Sequence, residues 1–149
     1  MARTVRVRGA RGHGVADLVA AVTDTHPLIF HALGGRGLGA RAAEMFDRCE
    51  HQQAVIYVPA AVIWECTLLA RVSRINLRRT ARAFFDDLFS NPAFHPLDLT
   101  PEQIFLGDEL RFSRDPFDVL ICAAARSLEL PLITRDAAIC GSGAVKVVW

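Results

Sequence analysis

Four short apolar runs constrain this chain more than anything else in it. AAVT (20–23), VIYV (55–58), PLIT (131–134) and VKVV (145–148) are each too short for a buried helix and too continuous for a strand with one wet face. They read as strands buried on both sides. Helical stretches lie between them: about Pro27 to Leu33, Ala40 to Gln52, Pro59 to about Val72, residues 78–90, Thr100 to about Arg111, and Asp115-Pro116 to Leu128. FHPLDL (94–99) is a further strand candidate, weakened by Pro96, which cannot donate to a ladder. Buried strands alternating with helices define the α/β class, here a three-layer α/β/α sandwich around a parallel sheet of four or five strands.

The chain has 149 residues, of which 52% are hydrophobic, enough for one core and one domain. The longest apolar run, Ala54 to Trp64, is short and holds a proline, so no membrane span is expected. Net charge is +1, but Arg3, Arg6, Arg8 and Arg11 stand in a stretch without acids, and the rest of the chain is net negative. Binding of nucleic acid by bulk positive charge is therefore excluded, and any such activity must come from a local site. Residues 1–19 are expected to be a flexible basic extension and residues 20–149 the folded domain. Cys49, Cys66, Cys122 and Cys140 form no CxxC pair, and three of them sit in apolar, helix-like stretches. That pattern points to reduced thiols and a cytoplasmic protein rather than a zinc site.

The informative residues are acids. In an open α/β sheet ligands collect beyond the carboxyl ends of the strands. Asp24 follows the strand AAVT directly, and Asp136 follows PLIT by two positions, so both stand on one sheet edge. Glu65 has Ala61, Val62, Leu68 and Leu69 as its helical neighbours, and a carboxylate among them is costly unless it is paired or binds a cation. In RDPFDVLICAAA, Asp115 suits a helix N-cap, Pro116 the first turn, and Asp118 the third position. Capping alone accounts for that motif, and turn chemistry alone would account for Asp24 or Asp136. Taken together, the acids call for a shared cation, because gathered carboxylates must either take a proton or be neutralised. Oxygen ligands favour Mg²⁺ or Mn²⁺ over zinc, and such sites serve phosphate chemistry.

The segments TDTHPLIFHAL, VIYVPAAVIWE, RDPFDVLICAAA, PLITRD and the terminal VKVVW, in this order, resemble the PIN-domain ribonucleases, in particular the VapC-like toxins of toxin–antitoxin pairs. The resemblance runs from about Val22 to Trp149. It implies that Asp24, Glu65, Asp118 and Asp136 form the catalytic acids, with Asp115 joining them as ligands of one or two Mg²⁺ or Mn²⁺ ions. It further implies attack by a metal-activated water on an RNA phosphodiester, leaving a 5′-phosphate and a 3′-hydroxyl. Thr25, Thr134 and Arg114 take supporting or substrate-contacting places. A cognate antitoxin and a homodimer are the partners the resemblance implies. The chain departs from the pattern at Val119, where Arg is frequent, at the PAA of 59–61, and at Pro27.

Other readings compete. A non-catalytic PIN scaffold that binds RNA or protein, and a metal-dependent nuclease acting on DNA, stand as alternatives. Gly35, Gly37 and Ala40 fit a relaxed dinucleotide fingerprint, but a helical stretch precedes them where that motif needs a strand. Arg71, Arg74, Arg78, Arg79 and Arg82 read as a solvated face with an Arg82–Asp86 pair, or as a groove for RNA or an acidic partner. Trp64 and Trp149 read as core or edge-packing residues.

Overall fold

The run AAVT lies at the centre of the sheet. A computed structural model describes residues 4–8 and 15–149, with side chains from Val19 onward. The strands are β1 (Thr4–Arg8), β2 (Val15–Thr23), β3 (Ala54–Pro59), β4 (Phe94–Leu97), β5 (Leu132–Ile133) and β6 (Val147–Val148). Five of them run parallel in the order β4-β3-β2-β5-β6. Ala20, Ala21, Val22 and Thr23 have no exposed surface, which is why an uninterrupted apolar run is needed there. Pro96 is accommodated because β4 is an edge strand, paired only with β3.

The N-terminal part differs from expectation. β1 pairs antiparallel with β2, Thr4 opposite Val19 and Arg8 opposite Val15, so β2 crosses the expected boundary between residues 19 and 20. TVRVR alternates apolar and charged residues, the pattern of a strand with one wet face, and its arginines masked that period. The remainder of the expected flexible extension, residues 1–3 and 9–14 with Arg3 and Arg11, lies outside the described residues.

The helices are α1 (Thr25–Ala32), α2 (Ala40–Glu50), α3 (Ala60–Arg71), α4 (Ala81–Phe89), α5 (Pro101–Glu109), α6 (Pro116–Leu128) and α7 (Ala137–Ser142). They cover both faces of the sheet and complete the three-layer α/β/α arrangement. α2 buries Ala42, Met45, Phe46 and Cys49, one stripe at helical spacing. α6 packs on β2, α3 and α5, and Ile121 to Ala125 are all fully buried. Its run of alanines lets those elements approach closely. Cys49, Cys66 and Cys122 are free and buried, and burial pushes their thiols up to about 12, so they behave as small core residues. Trp64 does not join the core. It is 50% exposed, with the Arg71 guanidinium 5.5 Å from its ring. Among the described residues no helix is long and apolar enough to cross a membrane.

The glycine-rich turn between α1 and α2 takes up the end of the sheet. Trp149, beyond β6, rests on Gly39, where a Cβ would come within 2.5 Å of its ring. Gly39→Ala is therefore expected to destabilise the fold by about 1–3 kcal/mol, the cost of overpacking. Gly141→Ala, where a Cβ would meet nothing within 4 Å, should stabilise by roughly 0.5–1 kcal/mol through the unfolded chain. Urea midpoints at unchanged m-value check both, and equal midpoints for the two variants would refute the packing account.

Candidate active site

From β2 the chain builds outward through β3 and β4, then returns to lay β5 on the other side of β2. The loops leaving β2 and β5 diverge at that reversal and open a crevice, the position where ligands lodge in open α/β sheets. Asp24 leaves β2 there. Thr134, Arg135 and Asp136 leave β5 beside it.

Asp24 ties the two strand ends together. Its backbone N–H donates to the carbonyl of Ile133 at 3.0 Å. Its Oδ1 accepts from the Thr25 N–H at 2.7 Å, and its Oδ2 accepts from the Thr134 hydroxyl at 2.7 Å. The residue is only 7% exposed, and burial raises its carboxyl pKa, with Asp136 adding to the rise and both hydrogen bonds opposing it. The Thr134 oxygen also accepts from the Asp136 N–H at 3.1 Å, so one hydroxyl positions two acids.

Asp136 and Asp115 are N-caps, Asp136 Oδ1 accepting from the Ile139 N–H and Asp115 Oδ1 from the Phe117 N–H, each at 2.9 Å. Asp118, in the first turn of α6, accepts through Oδ2 from the Ser113 hydroxyl at 3.1 Å. Its pKa is pushed up to about 6, first by burial, then by Asp115, with smaller contributions from Asp136 and Asp24. Glu65, from the second turn of α3, is raised by burial and by the charges of Asp24 and Asp115, while the Thr25 hydroxyl favours its ionised form. That hydroxyl is buried and faces Glu65 without closing a full hydrogen bond to it.

Asp24, Glu65, Asp115, Asp118, Thr134 and Asp136 thus line one cleft of about 320 Å³, with His26, Phe30 and Arg135. Thr25 lies in the buried layer behind it. Arg114 is not brought in. It lines a separate groove between α5 and α6 with Ile104, Pro116 and Val119, because it precedes the Asp115 cap and projects to the α5 side. Val119 shares that placement, so the departure from the family pattern falls outside the cleft. Sequence reasoning passed over Ser113 and Arg135. The signal for Arg135 was its place between two site residues just past a buried strand.

None of the five acids has an ion-pair partner among the described residues. The cleft therefore gathers five carboxylates, with His26 favouring the ionised forms of Asp24 and Glu65, and this concentration of oxygen donors fits a hard divalent cation. Among the described residues no three ligand-type side chains stand close enough for a ready-made cage. Mg²⁺ does not require one, since it keeps several waters and takes one or two carboxylates directly.

Fold and cleft together define an α/β domain organised around a carboxylate site at the sheet's switch point. The PIN domain profile matches residues 21–141, and the chain belongs to that family. VapBC2 from Rickettsia felis, solved bound to a DNA fragment from its promoter, shares the fold at TM-score 0.62 and 15% identity, over 87% of this chain and 97% of that one. FitAcB from Neisseria gonorrhoeae does so at 0.60 and 18%, over 85% and 95%. Mycobacterium tuberculosis VapC20, described as a sarcin-ricin loop cleaving toxin, does so at 0.57 and 20%, over 87% and 99%. At these identities the likeness is one of fold. No curated protein matches the chain in sequence.

The raised carboxyls make the metal-free fold sensitive to pH. Asp118 binds its proton more tightly when folded, at about 6, than at its ordinary 3.8, so its ionisation opposes folding. That penalty is complete above about pH 6 and is relieved as pH falls toward 4, and Asp24 and Glu65 add in the same sense. Wild type in EDTA should therefore gain stability between about pH 7 and 5, and Asp118→Asn should melt higher at pH 7 with a flatter profile. A variant that keeps the wild-type slope would refute this. Thr134→Val should cost about 1.5–3 kcal/mol in urea unfolding at pH 7, since it strips a buried carboxylate of its donor.

Proposed function

We propose that this protein is a Mg²⁺- or Mn²⁺-dependent endoribonuclease, the toxin of a toxin–antitoxin pair. One observation carries the reading: carboxylates from four separate segments converge on a single cleft, and among the described residues none of them is held in an ion pair. The cost of that convergence is visible in the raised Asp24, Glu65 and Asp118. Membership of the PIN family and the toxin–antitoxin structures that share the fold support the reading.

Asp24, Asp118, Asp136 and Glu65 are the residues that would hold the ion, with Asp115 nearer the rim. A bound divalent cation supplies Lewis acidity, generating a nucleophile from water and offsetting charge on the phosphoryl oxygens. The chain's own contribution is positional. Thr134 fixes Asp24 and Asp136 in one frame, and Ser113 holds one oxygen of Asp118. Burial and neighbouring acids raise the proton affinity of Glu65 and Asp118, a cost that a bound cation would offset. No Ser or Cys nucleophile is needed, and the buried thiols lie outside the cleft.

We place the protein in the cytoplasm, as its free thiols suggest. Its partners on this reading are an RNA substrate, a second copy of itself and an antitoxin. Light scattering of the chain alone, and with the product of the adjacent reading frame, tests the two protein partners.

The central test is cleavage of a mixed RNA pool. Activity should need Mg²⁺ or Mn²⁺, vanish in EDTA, and fall at least about 100-fold in Asp24→Asn and in Asp118→Asn, the loss of several kcal/mol of transition-state stabilisation. Thr134→Val should lose about 10- to 100-fold, acting through Asp24. Wild type as inert as the variants, on RNA the protein still binds, would make it a scaffold instead. Metal-dependent cutting of single-stranded DNA but not RNA would make it a deoxyribonuclease.

A further inference from the structure

The cleft's one lining arginine stands apart from its acids. Arg135 occupies the loop between Thr134, which holds Asp24, and Asp136, yet its guanidinium turns to aromatic rings. It lies 5.1 Å from the centroid of Phe30 and 5.6 Å from that of Trp149. Both distances are within the range where a ring face attracts a cation. Trp149 is in turn seated on Gly39, and Phe30 projects from α1. Two independent parts of the fold therefore hold one exposed side chain in place. Among the described residues Arg135 has no hydrogen bond or ion pair, and Asp24, Glu65 and Asp118 take their shifts from other groups. Its donors and its charge are free.

A planar guanidinium pre-set against ring faces loses little freedom on binding and presents its N–H edge to a phosphate. Aromatic faces beside a cation are also what single-stranded nucleic acid stacks on. The rings engage this charge, and among the described residues no ion pair joins it to an acid of the cleft.

We propose that Arg135, held by Phe30 and Trp149, grips a backbone phosphate of single-stranded RNA next to the one cut in the acidic cleft. It is a substrate-binding residue and takes no part in bond breaking. The assignment rests on the nuclease reading above.

The test uses the full chain and a fluorescein-labelled, mixed-sequence single-stranded RNA of about 20 nucleotides. Binding is followed in EDTA between about 50 and 200 mM salt, and cleavage is followed separately with Mn²⁺. Arg135→Ala should bind about 3- to 10-fold more weakly and raise KM to match, with kcat nearly unchanged. The slope of log affinity against log salt should shrink by about 0.7, one phosphate contact on a single strand. Arg135→Lys should restore the slope but only part of the affinity, because the charge returns without the stacked plane. Phe30→Leu should weaken binding with the slope intact. Wild type that cleaves RNA while Arg135→Ala matches it in affinity, slope and KM overturns this assignment alone, and would leave Arg135 to a protein partner. A fall in kcat at unchanged KM overturns it too. Wild type that neither binds nor cuts RNA overturns the nuclease reading, and the assignment with it.

Discussion

The Asp24 carboxylate closes the sheet at the one place where its strand order reverses. β2 and β5 are adjacent only near their carboxyl ends, through Val22 and Thr23 opposite Leu132 and Ile133. Beyond those pairs the ladder gives way to the Asp24 N–H on the Ile133 carbonyl and the Thr134 hydroxyl on Asp24 Oδ2. A main-chain bond and a side-chain bond thus continue the sheet past its last residues. Everything in the cleft is registered to that joint, since Thr134 also receives the Asp136 N–H and the Thr25 N–H meets the other Asp24 oxygen.

The joint is made with a group that opposes its own burial. An apolar residue at position 24 would seal β2 to β5 at lower cost in desolvation, but it could not offer oxygen to a ligand. The same tension recurs at Glu65, inside a face of Ala61, Val62 and partly buried leucines, and at Asp118. Stability given up at several positions that share one cleft is the physical signature of a site rather than of a packing device. The aromatic hold on Arg135 fits that division, because this guanidinium forms no ion pair with the acids among the described residues.

Much of this was legible in the sequence, for a definite reason. A strand buried on both faces must be a continuous apolar run, and once AAVT and PLIT are located, the next polar residues must stand at the sheet edge. Asp24 and Asp136 follow from that, whereas Thr134 entered only through the resemblance. Glu65 was legible because a carboxylate among apolar helical neighbours is an anomaly. What was not legible depends on geometry that no period encodes. β1 escaped because its alternation is carried by arginines, and α7 because it is a six-residue helix begun by the Asp136 cap. Arg114 and Arg135 are indistinguishable by composition, both arginines beside an aspartate. One projects toward α5 and the other toward Phe30 and Trp149, and only the placed chain separates them.

Capping a helix and offering oxygen to a ligand are compatible uses of these acids. Asp115 and Asp136 each accept through Oδ1 from a helix N–H, and Asp118 accepts through Oδ2 from the Ser113 hydroxyl, so each is fixed through one oxygen. Among the described residues the second oxygen of each has no protein donor. Even Asp24, bonded through both oxygens, keeps lone pairs unused. A cap thereby does two things at once: it secures the start of α6 or α7, and it locks the carboxylate so that its free oxygen has a fixed address. A freely rotating acid would lose that orientation and pay rotamer entropy on meeting a ligand. Helix starts gathered at a sheet's switch point are thus an economical way to pre-orient oxygen donors, and the acids a sequence reader would assign to capping are the ones best prepared to bind.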